Sequence, residues 1–252
     1  MFSKTYSIVI PAYNEGARIG ATLERVLRYL TEQEWAAEVI VVNDGSRDNT
    51  AEVVRSYAAT DHRLRLLENP GNSGKGYSVR AGMLQATGDL LLFSDADMSS
   101  PIEEAAKLFA AIEAGADVAI GSRWLQRELQ TQRQSVLRQL LGRAFNLVPR
   151  LVLGLNYKDT QCGFKAFTRR AAQLIFPQQR IERWGFDPEL LFLAQNSGLK
   201  VAEVPVTWAH SEGTRIRPFR DGTAMVAEMF KIRGYALTRK YTPAHVQLDV
   251  TR

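Results

Sequence analysis

The rhythm of the first half most constrains how this chain can fold. Short apolar, β-rich runs alternate with amphipathic stretches of helical period. "YSIVIP" reads as a strand and Ala17 to Leu30 as a helix. "EVIVVN" is a second strand, Asn49 to Ala59 a helix, and "LRLLE" a third strand. Gly76 to Ala86 is a helix, "DLLLFS" a strand, Ser100 to Ala114 a helix, and "DVAIG" a strand. Strands separated by helices in this way build a parallel sheet with helices on both faces. The runs are continuously apolar, which fits burial on both sides of the sheet.

After Gly121 the rhythm breaks. Arg133 to Leu155 is helical in period but interrupted by Pro149, which implies two helices. "GFKAFT" reads as a short strand and Asp187 to Asn196 as a helix. "VAEVPVTW" is a strand near an edge, because Pro205 cannot donate to a ladder. Arg220 to Thr238 closes as a helix. No repeat, linker or low-complexity tract separates the halves. One domain over 1–240 is expected, with 241–252 as a tail.

Bulk properties exclude several classes. At 252 residues, 45% hydrophobic and 23% charged, the chain can bury a sizeable core and is not disordered. Its single cysteine, Cys162, excludes an internal disulfide and reads as a buried small apolar residue. No Cys/His spacing suits zinc. No leader-like segment precedes the first strand. No apolar run approaches the ~18 residues needed to cross a bilayer. The expectation is a cytoplasmic protein, peripheral at a membrane face. The net charge of +5 is modest, and no nucleic-acid partner is expected.

Acids collect at the ends of the predicted strands. Glu15 follows the first, Asp44 the second, and Asp95 and Asp97 the fourth. In a parallel sheet these ends share one edge, where ligands usually bind. Four converging carboxylates repel unless cations or hydrogen-bond donors offset them. "LLLFSDADMSSP" runs straight from a buried strand into its acid pair. Ser100, Pro101 and Glu103 then read as an N-cap, a first-turn proline and a capping-box glutamate. Residues two apart in an extended stretch face one side, so Asp95 and Asp97 can share a hard cation, Mg2+ or Mn2+. Magnesium takes few protein ligands, so a two-aspartate site points to a diphosphate ligand. D-x-D also occurs in plain surface turns; its place between a strand end and a helix favours the metal reading.

Other segments are less specific. "NPGNSGKGYSVRAG" fails both the P-loop and the dinucleotide patterns. A glycine loop leading into a helix N-terminus that favours anions survives, with Lys75 at its mouth. Arg133, Arg138, Arg143 and Arg150 punctuate an apolar helical segment, which suits either a bilayer interface or a core helix with solvated arginines. "HSEGTRIRPFR" gathers His210, Arg215, Arg217 and Arg220, either as a diphosphate clamp or as a solvated loop. For Asp187, at a helix start, complementing the dipole is the stronger reading.

Taken in order, "VIPAYNEGARI", "VIVVNDGSRDNT", "NSGKGYSVRAGM", "LLFSDADMSSP", "AIGSRW", "DTQCGFKAFTR" and "HSEGTRIRPFRDG" resemble the family-2 glycosyltransferases of GT-A fold. Within them the chain looks most like polyprenyl-phosphate sugar transferases of the dolichyl-phosphate β-glucosyltransferase type. "DTQCGFK" and "EGTRI" carry that narrower match. The resemblance implies an α/β, Rossmann-like single domain around a mostly parallel sheet. It implies that Pro11, Tyr13, Glu15 and Asp44 line the nucleoside pocket, with Asp44 accepting from the base, and that Lys75 lies beside the nucleotide. Asp95 and Asp97 would hold metal and donor diphosphate. Arg123, with Arg133 or Arg138 and Arg215, would receive acceptor or donor phosphates. The helices near 133–155 would face a membrane surface.

The expected reaction is inverting transfer of glucose from UDP-glucose to a polyprenyl phosphate. GDP-mannose as donor and a soluble glycan as acceptor are the rivals; a sugar nucleotidyltransferase or a non-catalytic nucleotide-sugar binder is the alternative of another class. A phosphate acceptor is already largely dianionic at neutral pH and needs no general base. A hydroxyl acceptor needs one, with Asp159 the first candidate and Glu189 the second.

Overall fold

A computed structural model describes residues 4–126, 148–209 and 218–241. The first half follows the expected alternation: β1 (Thr5–Ala12), α1 (Ile19–Glu32), β2 (Ala36–Asn43), α2 (Thr50–Ala58), β3 (Leu64–Glu68), α3 (Lys75–Gln85), β4 (Leu90–Ser94), α4 (Ala105–Glu113) and β5 (Val118–Ser122). The second half adds α5 (148–153), then β6 (Phe164–Thr168), α6 (Arg169–Ile175), α7 (Phe186–Asn196), β7 (Val201–Pro205) and α8 (Pro218–Leu237).

Among the described residues, seven strands form one sheet in the order β3-β2-β1-β4-β6-β5-β7. All neighbours are parallel except β6, which runs antiparallel to both β4 and β5. Strand β7 is an edge, and Pro205 is its last residue, where a missing N–H costs no ladder bond. The carboxyl ends of β1, β2 and β4 therefore lie on one side of the sheet, and β6 begins on that same side.

Both faces of the sheet are covered. In β4, Leu90 and Leu92 enter one core with Ile8, Ile10, Leu23 and Leu108. Leu91 and Phe93 enter the other, with Val9, Val79, Phe167 and Phe186. The period of two explains why this strand carries no polar residue until Ser94. Helix α1 buries Ile19, Leu23, Val26, Leu27 and Leu30, one stripe at helical spacing.

Two local expectations change. Ser100 does not cap a helix; the chain enters α4 through a 3-10 turn, Ile102–Glu104, preceded by Pro101 in extended conformation. Glu103 pairs with Arg25 at 3.0 Å in place of closing a capping box. Helix α6 was not anticipated. Its N-cap is Thr168, whose hydroxyl accepts from Ala171 N. In α5, Leu153 joins the core and Leu151 is exposed; Arg133, Arg138 and Arg143 lie outside the described residues.

Candidate active site

The loops that leave β1 and β2 are tied together before they reach the site. Pro11 pairs in register with Val42, and Ala12 ends the buried part of β1. Beyond it, half-buried Tyr13 leads into Asn14, which adopts a left-handed conformation. Asn14 N donates to Ser46 Oγ, and Arg47 N donates to Asn14 Oδ1. Glu15 N donates to Thr50 Oγ1 at 2.7 Å. The Glu15 side chain is held by Arg18, through both Nε and Nη2. Sequence reading missed Arg18, although its i, i+3 spacing from Glu15 was visible. Beyond Glu15, the carboxylates of Asp97 and Asp95 also help hold its guanidinium protonated.

Asp44, 3% exposed, is engaged by the next loop. Its Oδ1 accepts from Asn69 Nδ2 at 2.8 Å and Ser73 N at 2.9 Å, and its Oδ2 from Gly74 N at 2.8 Å. The anion at the mouth of α3 is thus Asp44 itself. The glycine-loop N–H groups that favoured a phosphate are already spent on this carboxylate.

The acid pair sits on a tight turn and not on an extended stretch. Met98 N bonds to Asp95 O, Met98 has a positive φ, and Asp97 Oδ1 accepts from Ser99 N at 3.0 Å. The turn, and not strand alternation, brings the two carboxylates together. Burial and the neighbouring charges of Asp97 and Asp187 raise the Asp95 pKa, against the pull of Lys75. Lys75, first residue of α3, pairs with Asp95 Oδ1 at 2.5 Å and lies over the rings of Trp184 and Phe186. Burial disfavours its charge, but Asp95, Asp187 and Asp97 outweigh that and raise its pKa.

Strand β6 closes this group from the other side. A Cβ on Gly163 would stand 2.3 Å from Asp95 Oδ2, so only glycine lets β6 start beside the acid turn. Two residues on, Lys165 is fully buried and pairs with Asp187 and with Cys162 O. Asp187 is therefore half of a buried ion pair beside the site, a stronger role than complementing a helix dipole. Cys162 is buried as expected, and burial pushes its thiol up to about 12.

Arg123, after β5, meets Asp159 in a bidentate pair at 2.7 and 2.8 Å. Asp159 Oδ2 also accepts from Arg123 N, and Oδ1 from Gln161 N. All four acceptor positions of this fully buried carboxylate are filled. Burial works against its charge, yet Arg123 holds its pKa below the usual range. Asp159, expected as the first candidate base, is engaged at all four positions and fixes the orientation of the Arg123 guanidinium. Glu203 on β7 fixes the loop in turn, accepting from Lys158 N, Asp159 N and Ser122 Oγ. Its role was illegible without strand order.

Glu189, the second candidate base, is also buried, with three of its four acceptor positions filled. It accepts from Arg180 N, Ile181 N and the Tyr241 hydroxyl at 2.9, 2.8 and 2.6 Å. Burial raises its pKa, but it serves the 180–181 segment and the end of the described chain. Arg215, like Arg133 and Arg138, lies outside the described residues.

The two aspartates offer hard oxygen ligands with excess negative charge, and a lysine ammonium already occupies one of those oxygens as a cation would. That donor chemistry fits Mg2+ or Mn2+. Among the described residues no group of three His, Cys, Asp or Glu gathers around one point, so further ligands would come from substrate and water.

A sheet of this order, with acids at the carboxyl ends of its parallel strands, has the architecture of the GT-A glycosyltransferases. Crystal structures of glucosyl-3-phosphoglycerate synthase from Mycobacterium tuberculosis share the fold. One, with Mn2+, UDP and phosphoglyceric acid, superposes with a TM-score of 0.67 at 21% identity, over 95% of this chain and 80% of that one.

The sequence matches the Glycosyl transferase family 2 model over residues 7–176, and the chain belongs to that family. It is 43% identical over 217 residues to a dolichyl-phosphate beta-glucosyltransferase of Trichomonas vaginalis, covering 82% of this chain and 64% of that protein. The Drosophila melanogaster protein of the same name is 38% identical, with 90% and 73% covered, and the human one 35% identical, with 94% and 77% covered. The chain thus spans 64% to 77% of the length of these relatives. Among the described residues no helix is long and apolar enough to cross a membrane.

Proposed function

We propose that the protein transfers glucose from UDP-glucose to the phosphate of a dolichyl-type lipid, with inversion at the anomeric carbon. One observation carries this reading. Asp95, Asp97 and Glu15 bring three carboxylates to a rim where Lys75 and Arg18 supply two cations, in a family-2 chain 35–43% identical to dolichyl-phosphate beta-glucosyltransferases. The UDP and Mn2+ of the glucosyl-3-phosphoglycerate synthase structures support the donor and the metal.

Asp95 and Asp97 would hold a divalent cation, which when bound supplies charge neutralisation for the departing diphosphate. Lys75 and Arg18 place two further cations at the same rim and strengthen that neutralisation. Arg123, fixed in orientation by Asp159, would receive the acceptor phosphate. A phosphate monoester has a second pKa of about 6 and attacks without a base. The filling of all four acceptor positions of Asp159, and the engagement of Glu189 by Arg180 N, Ile181 N and Tyr241, support a phosphate acceptor over a hydroxyl one. The protein would work at a membrane surface, a reading supported by the arginines that punctuate the apolar sequence of 133–155.

Melting the protein with UDP, UDP-glucose, GDP and GDP-mannose, with and without Mn2+, tests the donor. Metal-dependent stabilisation by the uridine compounds alone is expected. Stabilisation by GDP-mannose alone would replace glucose with mannose. Formation of lipid-linked glucose from dolichyl phosphate then tests the acceptor, and transfer only to soluble glycans would overturn it.

A further inference from the structure

The chain that leaves β7 touches both sides of the site. On one side stands Arg123, whose Nε and Nη2 each meet a carboxylate oxygen of Asp159. A guanidinium is planar, and a bidentate bond along one edge leaves it free to tilt about that edge. Half-buried Trp208 takes the face. Its ring centroid lies 5.7 Å from Arg123 Cζ, within the range of a cation–π contact, for which Trp is the strongest partner. Asp159 thus constrains the guanidinium in its plane, and Trp208 constrains its tilt.

Trp208 is itself anchored before and after. Val206 is fully buried, and its N–H donates to Ser122 O at 3.3 Å, which ties this stretch to the end of β5. Glu203, earlier on β7, accepts from Ser122 Oγ and Asp159 N, both at 2.8 Å. On the far side, Ala209 N donates to Ser99 O at 2.8 Å, and Ser99 N donates to Asp97 Oδ1 at 3.0 Å. Two residues and two hydrogen bonds therefore join the ring that faces Arg123 to a carboxylate of the acid turn.

We propose that Trp208 is a positioning residue, which sets the tilt of Arg123 and, through Ala209 and Ser99, its distance from Asp97. The inference rests on the phosphate acceptor proposed above. The attacking phosphate oxygen, carried on Arg123, must meet an anomeric carbon whose diphosphate sits at Asp95 and Asp97. A strap that spans both places sets the separation of the two substrates before either binds.

A kinetic series with dolichyl phosphate varied at saturating UDP-glucose and Mn2+ tests this. Trp208→Leu should raise the acceptor KM by about tenfold, the scale of a partly desolvated cation–π contact, and lower kcat by less than about threefold. Trp208→Phe keeps an aromatic face and should stay close to wild type. UDP affinity in the presence of Mn2+, read by calorimetry, should be unchanged in both variants; a general loss of structure would weaken it too. Arg123→Lys keeps the charge without the planar face, so on that background Trp208→Leu should add little to KM. An unchanged KM in Trp208→Leu, an equal loss in Trp208→Phe, or an undiminished effect on the Arg123→Lys background would each overturn the assignment. The same cycle read in Tm needs no acceptor, and Trp208→Leu should cost at least ~2 °C more beside Arg123 than beside the lysine of Arg123→Lys. Coupling in Tm without lipid-linked glucose from wild type would reject the dolichyl phosphate acceptor and keep Trp208 as the residue that orients Arg123. Lipid-linked glucose without coupling would reject Trp208 and keep the acceptor.

Discussion

Lys75 Nζ lies 2.5 Å from Asp95 Oδ1, so the first side chain of α3 neutralises the acid turn at the end of β4. Burial and two further carboxylates raise the pKa of Asp95, and Lys75 opposes them. Asp95 must be ionised to hold a cation. In Lys75→Met its pKa should rise further, and the acid limb of the kcat/KM profile should move to higher pH. A pH–rate series with saturating Mn2+ reads this directly. An unmoved acid limb would show that Lys75 does not tune Asp95.

Asp97→Asn removes one of the two expected metal ligands without changing the fold. A loss of at least ~100-fold in kcat is expected, the scale of deleting one preorganised charge contact at a transition state. Mn2+ affinity, followed by its paramagnetic resonance in the presence of UDP, should fall in parallel. Wild-type metal binding with lost turnover would place the defect elsewhere.

Gly163→Ala asks whether the close approach of β6 to the acid turn matters. The added methyl would stand 2.3 Å from Asp95 Oδ2, so the carboxylate or the strand must shift. Misplacement on the ångström scale can cost about 100-fold in rate. Circular dichroism should stay native while kcat/KM drops.

Asp159→Asn separates positioning from base catalysis. The change leaves a largely buried Arg123 without its charged partner, at a stability cost of about 3 kcal/mol. The folded pKa of Asp159 lies below the unfolded value of about 3.9. Its contribution is therefore present above pH ~4 and is lost as pH falls through the folded pKa. The Tm difference between wild type and variant should be full at neutral pH and shrink below pH ~4. Acceptor KM should rise more than kcat falls; the reverse split would restore Asp159 as a base.

Tyr241→Phe tests the structural reading of Glu189. Loss of the 2.6 Å bond to a buried carboxylate should cost about 1–2 kcal/mol, or roughly 3–6 °C in Tm. Turnover at 25 °C should stay at the wild-type value. A specific loss of kcat would return Glu189 to the chemistry.

The strands and helices of the first half were legible because each carries its own period, and the first, second and fourth strands run into acids. Asp44 and Asp95 could be picked out for that reason, and Lys75 from the glycine loop that leads into its helix. What each carboxylate does was not legible, because it depends on donors far along the chain. Asp44 is claimed by Asn69, Ser73 and Gly74, and Asp159 by Arg123, 36 residues away. The placement of β6 was equally hidden, since no local pattern encodes which strand lies between which. Helix α6 did leave a signal in Thr168, a threonine capping residue directly after an apolar strand.

The antiparallel strand β6 lies between β4 and β5, so the last two strands of the first half never touch. A fragment ending before Gly163 would carry a broken sheet, and its acid turn would face solvent on the side that Gly163 now covers. Assembly of the catalytic rim must therefore wait for the later half to thread into the earlier one. Nucleotide affinity should appear during refolding together with the last strand and not before it.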